Sequence, residues 1–272
     1  MPEDCCPNCE ALLHGPYCSD CGQRRPLPDD YSTLDFLIDS ATEIFSVDGK
    51  TLRTARQLFA HPGRLTLDHY QGRRAQYLKP IQLFLIVNVL FFLVAVGGGI
   101  LDFTLGEYLE IGPPSTKLVQ KLVQQKIAQA GITLEEYASE FNRKEEILRK
   151  GLIFSLVPLL AVVLWVLSYR QRRYFAQHLV FSIHFFSFFW LFGTATFFPL
   201  AVLAALTGTR PDDLLVPFYE LTALIYIYLM LRTVYAQGRV ITILKAAICT
   251  AAVSQLIVGY RMLLFFGTYL IT

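Results

Sequence analysis

The 272-residue sequence has little charge and none of the short motifs by which common catalytic sites are recognised. Only 17% of its residues are charged and 54% are hydrophobic, which is too apolar for an ordinary soluble domain. There is no HExxH, no GxSxG, no Walker phosphate loop and no GxGxxG after a strand. These absences remove the usual signals of a zinc protease, a serine hydrolase and a nucleotide-binding enzyme, and they favour a protein that is not an enzyme.

The amino-terminal end also lacks two targeting signals. Its first thirty residues contain no apolar run of the kind that a cleavable signal peptide has, and Pro2 stands where N-myristoylation needs glycine. We therefore expect the first membrane span to direct insertion. The basic pair Arg24 and Arg25 is too small a patch to indicate binding to nucleic acid.

Long apolar stretches are what the sequence does contain. Residues 81–101 carry no charge, and a helix of that length covers about 30 Å, the thickness of a bilayer's hydrocarbon core. Four further stretches are candidate spans: 152–167, 179–206, 214–235 and 240–260. The sequence thus predicts an all-α, polytopic helical membrane bundle of about five spans, with kinks or breaks at Pro158 and Pro199.

The distribution of Lys and Arg predicts the orientation of this bundle. With the amino terminus inside, fifteen of the 24 Lys and Arg residues fall on the inner side, which favours a cytoplasmic amino terminus in a bacterial inner membrane. We expect five segments: a zinc ribbon (1–25), amphipathic helices with a basic juxtamembrane collar (26–80), the first span (81–101), an extracytoplasmic helical loop (102–150) and a four-span bundle (151–272). The loop is predicted to be a solvated helical hairpin; a lid over a cavity is the alternative.

Two CxxC pairs near the amino terminus have the spacing of a structural zinc site. Cys6 and Cys9 precede Cys18 and Cys21 by eight intervening residues, and four cysteines at two tight turns supply tetrahedral ligands for Zn²⁺. Four sulfurs leave no open position for catalysis, so the zinc is expected to be structural. Cys5 is the alternative to Cys6 as ligand, and two disulfides or a redox-active CxxC are alternatives to a metal.

Amphipathic segments precede the first span. Residues 32–47 and 50–60 carry apolar positions at helical spacing, and Pro62 with Gly63 ends the second segment. Such helices usually lie in the membrane interface; packing as a small cytosolic domain on the spans is the alternative.

We name residues 71–80 the collar, because basic and aromatic residues run there without a break into the first span. A lipid-headgroup site is predicted at and just before it, and orientation of the span alone is the alternative explanation. Its candidate residues are Arg64, Arg73, Arg74, Tyr77 and Lys79.

Ionisable residues inside spans are costly and merit functional hypotheses. Glu220 and Arg261 are predicted to pair in the outer half of the fourth and fifth spans, and snorkelling of Arg261 is the alternative. His184 is a candidate proton carrier or ligand, although a hydrogen-bonded structural histidine is more common. His61, Asp68 and His69 form a loose cluster without a recognisable nucleophile.

The order of these motifs resembles an uncharacterised family of bacterial multi-pass membrane proteins, a domain of unknown function with an amino-terminal zinc ribbon. In that family a Thr-rich helix, a Pro-Gly stop and a G[KR]RxxYxxP run precede the first span. The positions that fit are Thr51, Thr54, Pro62, Gly63, Tyr70, Gly72, Arg73, Arg74, Tyr77 and Pro80. One residue separates Tyr70 from Gly72 where the family usually has two, and Glu10 follows the first CxxC where zinc knuckles usually have glycine.

Three functions are therefore considered. The leading one is a non-enzymatic inner-membrane protein with a cytosolic structural-zinc module that docks a protein partner. The protein would contact membrane lipids and handle a lipid or small solute. A transporter with a midplane polar site at His184, Glu220 and Arg261 is the second. A lipid-headgroup enzyme near His69, Arg73 and Arg74 is the third.

Overall fold

The computed structural model describes residues 5–25, 49–94, 103–110, 115–171 and 173–272. The α-helices of these residues are α1 (Lys50–Ala60), α2 (Arg64–Tyr70), α3 (Pro80–Val94), α4 (Leu105–Glu110), α5 (Ser115–Ala130), α6 (Leu134–Leu152), α7 (Leu156–Leu167), α8 (Phe175–Thr207), α9 (Pro211–Tyr235) and α10 (Arg239–Ile271). The predicted all-α fold is confirmed. The amphipathic segment 32–47 and the end of the first predicted span lie outside the described residues.

Four helical runs in the described residues are long and apolar enough to cross a membrane: Leu134–Leu167, Phe175–Thr207, Asp213–Tyr235 and Arg239–Ile271. The first predicted span corresponds to α3, a shorter apolar helix described as far as Val94. The second predicted span is continuous with a helix of the preceding loop, through a 3₁₀ turn at Ile153–Ser155. Pro158 follows this turn, and its missing N–H removes an α-helical hydrogen bond there.

The fifth span is longer than its hydropathy indicated. It was predicted to end at residue 260, whereas α10 continues to Ile271. Pro199 lies inside α8, which is continuous from Phe175 to Thr207, so the chain does not break at this proline.

The chain forms two compact units, residues 1–93 with 157–253 and residues 94–156 with 254–272. In the first unit, α8 and α9 are antiparallel neighbours joined by a short turn at Gly208, whose φ is 68°. Aromatic rings line their contact, with Phe188 stacked on Tyr226 and Phe192 stacked on Phe218. The core of this unit runs along α8, where almost every residue from Ala176 to Trp190 is buried.

The helices that precede the collar pack on this core. Leu58 of α1 is buried, and its carbonyl accepts a hydrogen bond from Tyr226 at 2.8 Å. Leu65 of α2 is also buried, and Thr66 of α2 bonds to His184 of α8. The packing of α1 and α2 on the spans is thus observed, whereas the position of α1 in the membrane interface stays a prediction. Leu52 does remain 78% exposed on the other side of α1.

The second unit has an aromatic core of its own. Four buried rings form it, and Phe141 of α6 contacts the other three: Tyr108 of α4, Tyr137 of α6 and Phe265 of α10. Tyr108 also contacts Phe265. Thr133 begins α6 with a capping box to Glu136. The two predicted loop helices are present, but they are not simply solvated, because the carboxyl-terminal part of α10 packs against them.

Candidate functional site

The structure brings the two predicted CxxC pairs together. The sulfurs of Cys6, Cys9, Cys18 and Cys21 all lie within 4.8 Å of one another. Cys6 Sγ is 3.6 Å from Cys21 Sγ, and Cys9 Sγ is 3.5 Å from Cys18 Sγ. Sulfurs at the corners of a tetrahedral zinc site are about 3.8 Å apart when each Zn–S bond is about 2.3 Å. The four cysteines therefore fit a single metal ion.

Backbone hydrogen bonds form the two turns in the same way. Cys6 N–H donates to Ala11 O and Glu10 N–H to Cys6 O; in the second turn, Cys18 N–H donates to Gln23 O and Gly22 N–H to Cys18 O. Each turn requires a left-handed residue, Glu10 at φ 65° and Gly22 at φ 71°. The glutamate occupies this conformation although it lacks the freedom of glycine.

Cys5 has a separate place. It forms an isolated antiparallel bridge with Leu12, at the open end of the first turn. Its sulfur is outside the group formed by the four other cysteines, so the preference for Cys6 over Cys5 as a ligand agrees with the geometry.

The ribbon, residues 5–25, is attached to the collar by one side chain. Gln23 is only 8% exposed, and its amide group makes three hydrogen bonds with the collar backbone. Its Nε2 donates to Gly72 O, and its Oε1 accepts from Arg74 N–H at 3.0 Å and from Ala75 N–H at 3.1 Å. This contact was not anticipated from the sequence, because a single glutamine after the fourth cysteine carries no motif.

Asp68 organises the basic side chains at the collar. This buried carboxylate accepts from Arg73 Nε at 3.0 Å, from Arg64 Nε at 3.2 Å and from the Tyr77 hydroxyl at 3.4 Å. Burial and the negative charge of Asp68 raise the pKa of Tyr77. Three of the five predicted headgroup residues thus contact one carboxylate, which offsets part of their charge.

The surroundings of the other two predicted headgroup residues differ from those of this cluster. Arg74 Nε donates to the carbonyl of His69 at 3.3 Å, and Lys79 immediately precedes α3. The headgroup role of the five residues stays a prediction.

The two histidines of the predicted cluster with Asp68 have different surroundings. Burial, followed by the charge of Arg74 and then by His184, holds the pKa of His69 well below its ordinary value. His61 is exposed at the end of α1. Asp68 is engaged by the guanidinium groups of Arg64 and Arg73, and these contacts are those of a structural anchor.

The three predicted intramembrane polar residues make different contacts. His184 is 1% exposed, and its Nδ1 lies 2.8 Å from Thr66 Oγ1, which agrees with the structural-histidine alternative. Arg261 lies over the ring of Phe103 at 4.5 Å and pairs with Glu107 at 3.7 Å. Glu220 lies in α9, in the other compact unit, and its pairing with Arg261 stays a prediction.

Comparison with known proteins gives one partial match. Residues 48–92 match a family model described as a protein of unknown function (DUF3667). The matched segment extends from just before α1 almost to the end of α3 and includes the collar. It is well under half of the chain, and together with the four clustered cysteines it fits an uncharacterised domain. No curated protein and no solved structure matches the chain.

Proposed function

We propose that this chain is a non-enzymatic protein of a bacterial inner membrane, in which a cytoplasmic ribbon binds structural Zn²⁺ and clamps the collar. The observation that carries the proposal is the Gln23 amide, which joins a four-cysteine site to three backbone groups of the collar. Zinc is the metal we propose because four sulfurs in a closed tetrahedral set are typical of structural zinc.

The clamp depends on the metal through the second cysteine turn. Gln23 lies two residues after Cys21, and its carbonyl accepts the N–H of Cys18. A segment as short as the ribbon buries too little apolar area to fold alone, so metal binding supplies its folding free energy. Loss of zinc is therefore expected to release Gln23 and expose the collar backbone.

A cytosolic protein partner is proposed to bind the part of the ribbon that Gln23 does not use. Leu12 and Tyr17 are 60% and 63% exposed there, and each is next to one of the two cysteine turns. Exposed apolar and aromatic side chains on a metal-rigidified module suit protein contact, since little conformational entropy is lost on binding. The arginines that Asp68 positions are proposed to face anionic lipid headgroups.

Trypsin provides a direct test of the clamp, because its cleavage sites lie within the clamped segment. Gln23 holds the N–H groups of the Arg73–Arg74 and Arg74–Ala75 peptide bonds. Full-length protein purified in detergent is expected to hold one zinc per chain by elemental analysis. Gln23→Ala removes three hydrogen bonds worth about 1 kcal/mol each, so cleavage at these two bonds is expected to accelerate on the order of 100-fold.

Zinc removal with a chelator, and Cys9→Ser, are expected to give the same acceleration. Gln76→Ala is the matched control, since it deletes a nearby glutamine of the collar that does not join the ribbon. Cleavage of the Gln23→Ala and zinc-free proteins at the rate of wild type would overturn the clamp, and folded, reduced protein without zinc would overturn the metal assignment.

The contacts of the polar span residues favour this proposal over a transporter. His184 is bonded to Thr66, and Arg261 is bonded to Glu107 and stacked on Phe103. Each contact gives its residue a structural role. The transporter alternative would need these residues to line one polar path.

A further inference from the structure

A second group of polar side chains lies in the first unit, where α8 begins and α9 ends. Tyr235, the last residue of α9, is 5% exposed and stands at its centre. Arg173 precedes α8, His178 lies in its first turns, and Lys245 lies in the second turn of α10. None of these residues belongs to the metal site or to the collar.

Two cations approach the same tyrosine ring. Arg173 Cζ is 5.0 Å from the ring centre of Tyr235, and Lys245 Nζ is 6.0 Å from it. The two charges are therefore no more than about 11 Å apart, and they share one aromatic neighbour. The hydroxyl of Tyr235 is 2.7 Å from Nδ1 of His178, whose ring is stacked on the tyrosine.

The positive charge of this group is not balanced by a described carboxylate. Arg173 Nη2 donates to the carbonyl of Val234 at 3.0 Å and also lies over the ring of Tyr70. Lys245 Nζ donates to Ser168 Oγ at 3.2 Å. Within the described ranges, neither cation forms an ion pair. Both side chains are partly buried, and partly buried charges are normally compensated by an opposite charge.

A buried donor in the same group also lacks a partner. His178 is 1% exposed, and its Nε2 forms no hydrogen bond with the described residues. If the Tyr235 hydroxyl donates to Nδ1, the proton of this neutral imidazole is on Nε2, which then has a hydrogen bond to give. Buried polar atoms are rarely left unsatisfied, so in this tautomer Nε2 indicates a missing acceptor.

We propose that Arg173, Lys245 and His178 bind a phosphate group, carried either by a lipid headgroup or by a soluble phosphate compound. The two cations supply charge and N–H donors, and His178 Nε2 supplies a further donor to a phosphate oxygen. The rings of Tyr70 and Tyr235 hold Arg173 in place through cation–π contact. The amino-terminal end of α8 adds favourable potential for an anion. This site is separate from the zinc clamp and does not depend on it.

The experiment uses the full-length protein in a neutral detergent after removal of bound lipid. Binding of short-chain phosphatidylglycerol and, separately, of inorganic phosphate is measured by ligand-dependent thermal shift and by native mass spectrometry. Wild type is expected to bind at least one of them saturably, while Arg173→Gln and Lys245→Gln each weaken binding by about tenfold or more. Arg170→Gln is the matched control, because Arg170 is a nearby, exposed arginine.

The two ligands distinguish the sources of phosphate. Binding of phosphatidylglycerol without inorganic phosphate identifies a lipid headgroup, and binding of inorganic phosphate identifies a soluble compound. Lys245→Gln serves as the test if Arg173→Gln fails to fold. The proposal is overturned if wild type binds neither ligand, or if Arg170→Gln weakens binding as much as the two site variants do.

Discussion

Replacing Gly63 by alanine tests how closely the pre-collar helices dock on the spans. Gly63 begins α2 with φ at 82°, and its Cα faces α9. A Cβ added at this position would lie 2.9 Å from Thr233 Cβ and 3.0 Å from both the Cα and the carbonyl oxygen of Met230. Two of these three atoms are backbone, so a side-chain rotation cannot relieve the clash.

The magnitude follows from two separate costs. An L-residue in the left-handed region costs about 1–2 kcal/mol. Overpacking against atoms that cannot move away adds about 1–3 kcal/mol. The free energy of unfolding is therefore expected to fall by about 2–5 kcal/mol, which corresponds to an apparent Tm lower by roughly 5–15 °C for a chain of this size.

Thermal unfolding of detergent-purified protein measures this effect, and Gly131→Ala separates its two components. Gly131 has φ at 66° and no neighbouring atom within 4 Å of the added Cβ. Its replacement is therefore expected to cost only the conformational free energy of the left-handed region, about 1–2 kcal/mol. Equal losses of Tm in the two variants would refute the close approach of Gly63 to α9. An unchanged Tm for Gly63→Ala would refute the docking itself.

Three further changes probe the ribbon and the collar. Glu10→Gly relieves a left-handed glutamate, so it is expected to tighten zinc binding about fivefold in a competition titration; unchanged affinity would contradict strain in that turn. The pKa of His69 is lower in the folded chain than in the unfolded one, so the unfolded state binds more protons at acid pH. The free energy of unfolding is therefore expected to fall as pH drops below about 6.5, by up to about 1.4 kcal/mol per pH unit. His69→Gln is expected to flatten this dependence in thermal scans between pH 7 and 5, and exposed His61→Gln is not. Asp68→Asn removes the negative charge that two guanidinium groups share, so it is expected to lower the free energy of unfolding by about 2–4 kcal/mol. It is also expected to speed tryptic cleavage of the collar, and unaltered cleavage would contradict this role of Asp68.

Local patterns predicted the parts of the structure that local forces determine. The four-cysteine group follows from spacing alone, because each CxxC forms its own turn. The cores of the long spans follow from uninterrupted apolar sequence. The end of α10 was missed because Arg261 interrupts that apolar run, and its surroundings include Phe103, Glu107 and Tyr108, more than 150 residues earlier.

Contacts between segments that are far apart in the sequence could not be predicted, because no local pattern encodes them. The docking of α1 and α2 did leave a signal, since the apolar faces of these helices also carry Thr54 and Thr66, which are fully buried and hydrogen-bonded. Small polar residues on an apolar face suit protein packing better than contact with lipid. Gln23 left no such signal, because the collar carbonyl and N–H groups that it binds are common to every sequence.

The positions by which the chain resembles an uncharacterised family have structural roles within this molecule. Thr54 Oγ1 accepts the N–H of Leu78 at 3.0 Å, the Tyr70 hydroxyl donates to Gln177 O, and Gly72 adopts φ at 80° while its carbonyl accepts from Gln23. A motif whose members hold the collar against the bundle specifies an architecture rather than a reaction. A ligand or reaction particular to this chain is therefore better sought where a motif residue contacts a residue outside the motif. Tyr70 beside Arg173 is such a place.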